Sequence, residues 1–135
     1  MKTNKKLLLI VITLIIAFTG CKKYSDGPTF SPWPKKWRVV NTWKEEKEIS
    51  GGVTVSINNS DTYQYKRNGD FIVTSGSTSF TGTWAFGSKK ETLITTFTGG
   101  MGSLSTTSKI LRLTSKEMWL TDDSGNTETH FVSAK

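Results

Sequence analysis

The chain has 135 residues, with 18 Lys and Arg against 11 Asp and Glu, a formal charge of +7 and one histidine. Its single cysteine excludes an intrachain disulfide, dithiol redox chemistry and a cysteine-based zinc site. With 35% hydrophobic and 11% aromatic residues it holds one modest core.

The amino terminus reads as an export signal. Lys2, Lys5 and Lys6 precede an apolar run from Leu7 to Phe18, interrupted only by Thr13. As a helix those 12 residues extend about 18 Å, well short of the roughly 30 Å hydrocarbon layer, so a spanning anchor is not expected. Phe18-Thr19-Gly20-Cys21 resembles the lipobox of bacterial lipoproteins. The resemblance implies that Cys21 is multiply acylated and becomes the first mature residue. Two or more acyl chains hold stably, at about 0.8 kcal/mol per buried methylene. The expected address is the cell envelope, on the periplasmic side of the outer membrane or at the cell surface, with the membrane as a partner through Cys21. Residues 1–20 are assigned to the signal peptide, 21–34 to the lipidated cysteine and a flexible tether, and 35–135 to the domain. Gly27-Pro28, Pro32 and Pro34 motivate the tether. The leader takes three lysines with it, leaving 15 basic against 11 acidic side chains in 115 residues, a charge of +4. That balance gives no reason to expect nucleic acid as a partner.

From Trp37 onward apolar and polar residues alternate, the period of half-buried strands. Trp37, Val39 and Trp43 share one expected face. Val53, Val55 and Ile57 alternate with Thr54, Ser56 and Asn58, and Tyr63 and Tyr65 alternate with Thr62, Gln64 and Lys66. Phe80, Gly82, Trp84 and Phe86 oppose Thr81, Thr83 and Ala85. Turn signals separate the runs at Gly51-Gly52, Asn58–Asp61, Asn68-Gly69, Gly87-Ser88 and Asp122–Asn126. Asn68-Gly69 predicts a tight type I′ hairpin. Strands are expected at 37–47, 53–58, 61–66, 70–75, 79–86, 91–98, 107–114, 117–122 and 127–133, with one or two merging. The fold class is all-β: an antiparallel up-and-down barrel of about eight strands, with a β-sandwich as the alternative. Barrel closure removes both sheet edges.

Several segments point to one family. They are Trp37, Tyr65-Lys66-Arg67-Asn68-Gly69-Asp70-Phe71, Gly82-Thr83-Trp84-Ala85-Phe86, Ile110-Leu111-Arg112-Leu113-Thr114, Glu117-Met118-Trp119-Leu120 and Thr127-Glu128-Thr129-His130-Phe131. Their order resembles bacterial lipocalin-like lipoproteins over residues 36–133. The resemblance implies a small barrel that binds rather than catalyses.

The residues themselves offer little chemistry. His130 alternates outward beside Phe131 and reads as a surface residue without a nucleophile to activate. Asp122-Asp123 sit in a turn where Asp is favoured for backbone reasons. Glu45, Glu46 and Glu48, interleaved with Lys44 and Lys47, read as a solvated face. No metal and no cofactor is expected, and the chain is read as a non-enzyme. Gly99–Ser103 reads as a flexible connection, with a mobile lip carrying Met101 and Leu104 as the sharper alternative. Ten aromatic residues, Trp37 and Phe80 among them, fall on expected inward faces. Barrels of eight strands either fill with side chains or hold one small ligand. Tyr63, Tyr65, Trp84 and Phe97 are the candidates for lining a site for a small hydrophobic or amphipathic ligand. In the alternative, the barrel is filled and acts as a structural or protein-interaction module, with Trp119, between Met118 and Leu120, as the exposed contact for an envelope protein.

Overall fold

A computed structural model of the chain describes residues 24–28, 31–99 and 102–135. The expected signal peptide, Cys21 with its expected acylation, Phe30 and Met101 lie outside the described residues. One short helix, α1 (Lys35–Val39), precedes nine strands. These are β1 (Thr42–Ser50), β2 (Val53–Ser56), β3 (Thr62–Tyr65), β4 (Asp70–Ser75), β5 (Thr78–Phe86), β6 (Thr92–Gly99), β7 (Gly102–Leu113), β8 (Glu117–Thr121) and β9 (Thr127–Ser133).

Consecutive strands from β3 to β9 pair antiparallel, and β9 returns to β1 from Trp43–Ser133 through Ser50–Thr127. The sheet therefore closes as a barrel rather than splitting into a sandwich. The other edge of β1 is shared. Its first half pairs with β3, Trp43 opposite Tyr63, and its second half with β2, Lys47 opposite Ser56. Eight strands make the ring, and β2 is one extra strand. Residues 57–61 step the chain from β2 to β3 along the same neighbour.

The register carries the inward residues around the wall. One row runs Trp43, Tyr63, Val73 and Phe80, and another Phe71, Gly82, Phe97 and Leu104. Two bulges correct the phase: between Ile110 and Arg112 the shift puts both Ile110 and Leu113 in the core.

The strand expected from residue 37 begins five residues later. Pro34 presets the first turn of α1, where the Trp37 and Arg38 amides donate to the Pro34 carbonyl at 3.0 and 3.3 Å. The helix plugs one end of the barrel. Val39 is buried, the Trp43 indole donates to the Val39 carbonyl at 3.0 Å, and Arg38 donates to the Leu113 carbonyl at 2.5 Å. Trp37 consequently leaves the expected inward set and is 52% exposed. Part of the expected tether is docked as well. Tyr24 is buried and its hydroxyl donates to the Lys90 carbonyl at 3.0 Å, while the Asp26 amide donates to the Leu111 carbonyl at 2.9 Å.

The Asn68-Gly69 turn differs from the expected type I′. Only Gly69 has positive φ, at 99°, and its amide donates to the Lys66 carbonyl at 3.1 Å. This is a three-residue hairpin loop whose last residue takes the left-handed conformation. Asn68 instead uses its side chain, accepting from the Asp70 amide at 3.1 Å.

The most completely buried side chains are Trp43, Leu93, Leu113, Met118 and Val39, which cluster toward the plugged end. The α1 segment and the β3–β4, β5–β6 and β7–β8 connections share that end. The β1–β2, β4–β5, β6–β7 and β8–β9 connections share the open end.

Candidate functional site: an apolar hollow at the open end

The open end is uneven because neighbouring strands differ in length. β6 and β7 pair out to Gly99–Gly102, whereas β8 joins β7 only from Lys109 onward. The far half of the β6–β7 hairpin therefore stands beyond the ring. The β4–β5 hairpin stands beside it, with Ser75 opposite Thr78 at its tip. Between them lies a hollow of about 660 Å³ with walls from Tyr63, Val73, Phe80, Phe97, Thr98 and Leu104. That volume lies in the range of small-molecule sites.

Phe80 takes the inward face as the alternation requires, yet it is 56% exposed, and Leu104 is 68% exposed. Both sit where the strands have outrun the ring, and among the described residues no opposite wall covers them. Aromatic packing forms the base. Phe97 meets Phe71 at 5.3 Å between ring centroids, and Tyr63 meets Phe131 edge-on at 5.3 Å. Gly82 lets β5 and β6 approach there: a Cβ on it would stand 2.3 Å from the Thr96 carbonyl oxygen and 2.9 Å from the Phe97 ring.

One polar pair adjoins the apolar wall. Glu45 is opposite Phe131 in register and shares its inward face, which brings its carboxylate toward the Tyr63 hydroxyl. Burial first, then the nearby Glu45 carboxylate, pushes the Tyr63 hydroxyl pKa above the usual tyrosine value. Tyr65 is raised for the same leading reason, burial, with the charges of Tyr63 and Glu45 adding to it. Glu45 thus departs from the solvated face expected for it. Its neighbour Trp43 is an inward anchor, and the alternation from that anchor was the signal that could have placed it.

Of the four residues expected to line a ligand site, Tyr63 and Phe97 do so. Tyr65 and Trp84 stand deeper. Both are buried, with Tyr65 packed on Phe71 at 4.6 Å and on Trp84 at 5.8 Å. The Trp84 indole donates to the Lys66 carbonyl at 2.8 Å, which ties it to the plugged end. Val73 is a wall residue that the aromatic pattern did not single out.

The outer face of β7–β9 carries a stacked row. The Trp119 ring lies flat on the His130 ring at 4.1 Å, and the Arg112 guanidinium sits 5.1 Å from the Trp119 ring centroid. Arg112 is paired with Glu117 at 2.8 Å, and His130 with Glu128. Trp119 does face outward, while Met118 and Leu120 are buried. It is half-buried between two partners. His130, read as a surface residue, is only 4% exposed because Trp119 covers it. Among the described residues no group of three His, Cys, Asp or Glu side chains is placed to hold a metal ion.

No family model matches the chain, and no curated protein matches it. Solved structures do. A lipocalin-like protein from Bacteroides uniformis superposes with a TM-score of 0.58 at 14% identity, covering 71% of this chain and 98% of that one. An uncharacterized protein from Bacteroides eggerthii superposes with a TM-score of 0.54 at 17% identity, covering 70% of this chain and 98% of that one. The fold is lipocalin-like: a closed antiparallel eight-stranded barrel with one extra strand.

Proposed function

We propose that the protein is a lipid-anchored component of the bacterial cell envelope that binds a small hydrophobic or amphipathic molecule without transforming it. The hollow at the open end carries the reading. Its wall is mainly apolar, and Phe80 and Leu104 border it, exposed among the described residues. The Tyr63–Glu45 pair supplies one polar contact at the base, which suits an amphipathic ligand. The chain's similarity to lipocalin-like structures is compatible with binding at a barrel mouth. Acylation of Cys21 supplies the anchor in this reading.

The test is native mass spectrometry of residues 22–135 purified without denaturant, followed by solvent extraction and identification of any co-purified molecule. A stoichiometric ligand is expected, and Leu104→Glu with Phe97→Ala is expected to abolish its retention. Retention unchanged in that double variant overturns the site. The anchor is read separately, from the mass of the amino-terminal peptide of the full-length protein recovered from bacterial membranes. An unmodified Cys21 there overturns the anchoring.

A further inference from the structure

The plugged end of the barrel differs from the mouth in charge. Lys66 and Arg67 occupy the β3–β4 connection, Lys89 and Lys90 the short 3₁₀ turn after β5, Lys116 the β7–β8 connection and Lys135 the chain end after β9. Helix α1 adds Lys35 and Lys36 at the same end, and together these bases outnumber the acids Asp70, Glu91 and Glu117 placed beside them. The mouth carries the opposite sign in its one charged connection, Asp122-Asp123 between β8 and β9.

The plugged end also displays two large aromatic residues. Trp33 and Trp37 are 56% and 52% exposed and stack at 6.1 Å between ring centroids. The Arg67 guanidinium lies 4.7 Å from the Trp37 ring centroid, so the aromatic pair and the basic connection form one surface. Indole rings prefer the interface between water and acyl chains, and lysines beside them are attracted to anionic headgroups. The mouth has exposed apolar residues too, but its acidic turn would be repelled by such a surface.

Chain length points the same way. Tyr24 is docked at this end through Lys90, and Cys21 lies only three residues earlier in sequence. Three residues reach about 10 Å at full extension. No helix among the described residues is long and apolar enough to cross a membrane.

We infer that the plugged end, through Trp33, Trp37 and the surrounding lysines, docks on an anionic lipid surface and aims the mouth away from the membrane. The inference extends the anchored reading, but the docking surface is a property of the barrel itself and is tested without acylation. Residues 24–135 close the barrel around its core, so the chain from Lys22 carries the whole surface.

The experiment is co-sedimentation of residues 22–135 with phosphatidylcholine vesicles, with or without phosphatidylglycerol. Binding is expected only with the anionic lipid and is expected to weaken with added salt. Trp fluorescence should shift to the blue on binding, because Trp33 and Trp37 are the exposed indoles while Trp43 and Trp84 are already buried. Lys66→Gln with Lys116→Gln should lower partitioning about 25-fold, about fivefold for each lysine. Trp33→Ala with Trp37→Ala should lower it roughly tenfold with the melting temperature unchanged, since both side chains are exposed. No binding to anionic vesicles overturns the inference. Loss of binding in Phe80→Ala with Leu104→Ala would place the contact at the mouth and also overturns it. Equal binding to soluble polyglutamate, insensitive to the tryptophan changes, would assign the face to an acidic polymer instead. The mass of the Cys21 peptide is unaffected by any of these outcomes, so failure of docking and failure of anchoring are told apart.

Discussion

The two ends of this barrel are built from the same strands and end in different physical states. At the plugged end the strand-borne rings of Trp43 and Trp84 are enclosed and their indole N–H groups are satisfied. Trp43 donates to Val39, Trp84 donates to Lys66, and Arg38 reaches the Leu113 carbonyl. At the mouth Phe80 and Leu104 occupy inward positions of the same alternating pattern and remain exposed. The cause is strand length. Where every strand is present the ring closes over a side chain. Where β5, β6 and β7 run on past β8, an inward side chain faces a gap. An apolar residue left at such a gap is available to a ligand, and one enclosed by the ring contributes stability.

That comparison is open to direct attack, beginning with the largest effect. Trp43→Ala should cost about 3–5 kcal/mol in denaturant unfolding, because it empties a fully buried site and orphans the Val39 carbonyl. Phe80→Ala should cost no more than about 0.5 kcal/mol in the same assay. Comparable losses in the two variants would erase the distinction between the ends.

Gly82 tests the boundary between them. Gly82→Ala should cost about 1–3 kcal/mol, since the β5 and β6 backbones must part at the Thr96 carbonyl, and the Phe97 ring give way, to admit a methyl group. The same shift should weaken ligand retention at the hollow. A neutral melting temperature would show that β5 and β6 are less closely held than the geometry requires.

Alkaline pH sharpens the picture further. Burial pushes Tyr24 up from 10.0 to about 12, and Tyr63 and Tyr65 are raised as well. The native state therefore keeps protons that the unfolded chain gives up near pH 10. Stability from these groups is complete below that pH and is lost as pH rises from about 10 through the folded values. Chemical denaturation followed across this range should show the midpoint falling. The fall should be shallower in Tyr65→Phe, and a pH-independent midpoint would contradict the burial of these hydroxyls.

A modest effect belongs to the outer row. Trp119→Ala should cost about 1 kcal/mol by removing its contacts with Arg112 and His130. The His130 imidazole would gain solvent access, visible as faster proton exchange in NMR spectra. A loss of several kcal/mol would instead place Trp119 in the core.

Much of this architecture was legible in the chain. The period-two alternation gave the strands from 53 to 133 to within a few residues, apart from an earlier start to β7. Antiparallel neighbours joined by short turns need little beyond local pattern, and the turn residues between them were conspicuous. The failures have specific physical causes. Trp37 and Val39 share a spacing with Trp43, but Pro34 nucleates a helical turn across them. Asn68-Gly69 marks a hairpin, yet a type I turn closed by Gly69 alone satisfies the same bonds.

The candidate site was half legible. Tyr63 and Phe97 were found because inward aromatic residues are visible as pattern. Tyr65 and Trp84 belong to the same pattern, and nothing in the sequence separates a ring at the base of a barrel from one at its mouth. Depth along the barrel axis depends on strand length and stagger, which are relations between strands distant in sequence. Glu45 was missed because alternating charges look solvated until the inward phase of β1 is fixed by its partner Phe131.

By itself, then, the sequence determined the all-β class, the strand positions and the faces they present, because alternation and turn chemistry act between near neighbours. Only the tertiary structure decided which end closes, which aromatic residues remain open to a ligand and where the lysines gather. Those outcomes follow from register and closure, which bring together residues from every strand of the ring.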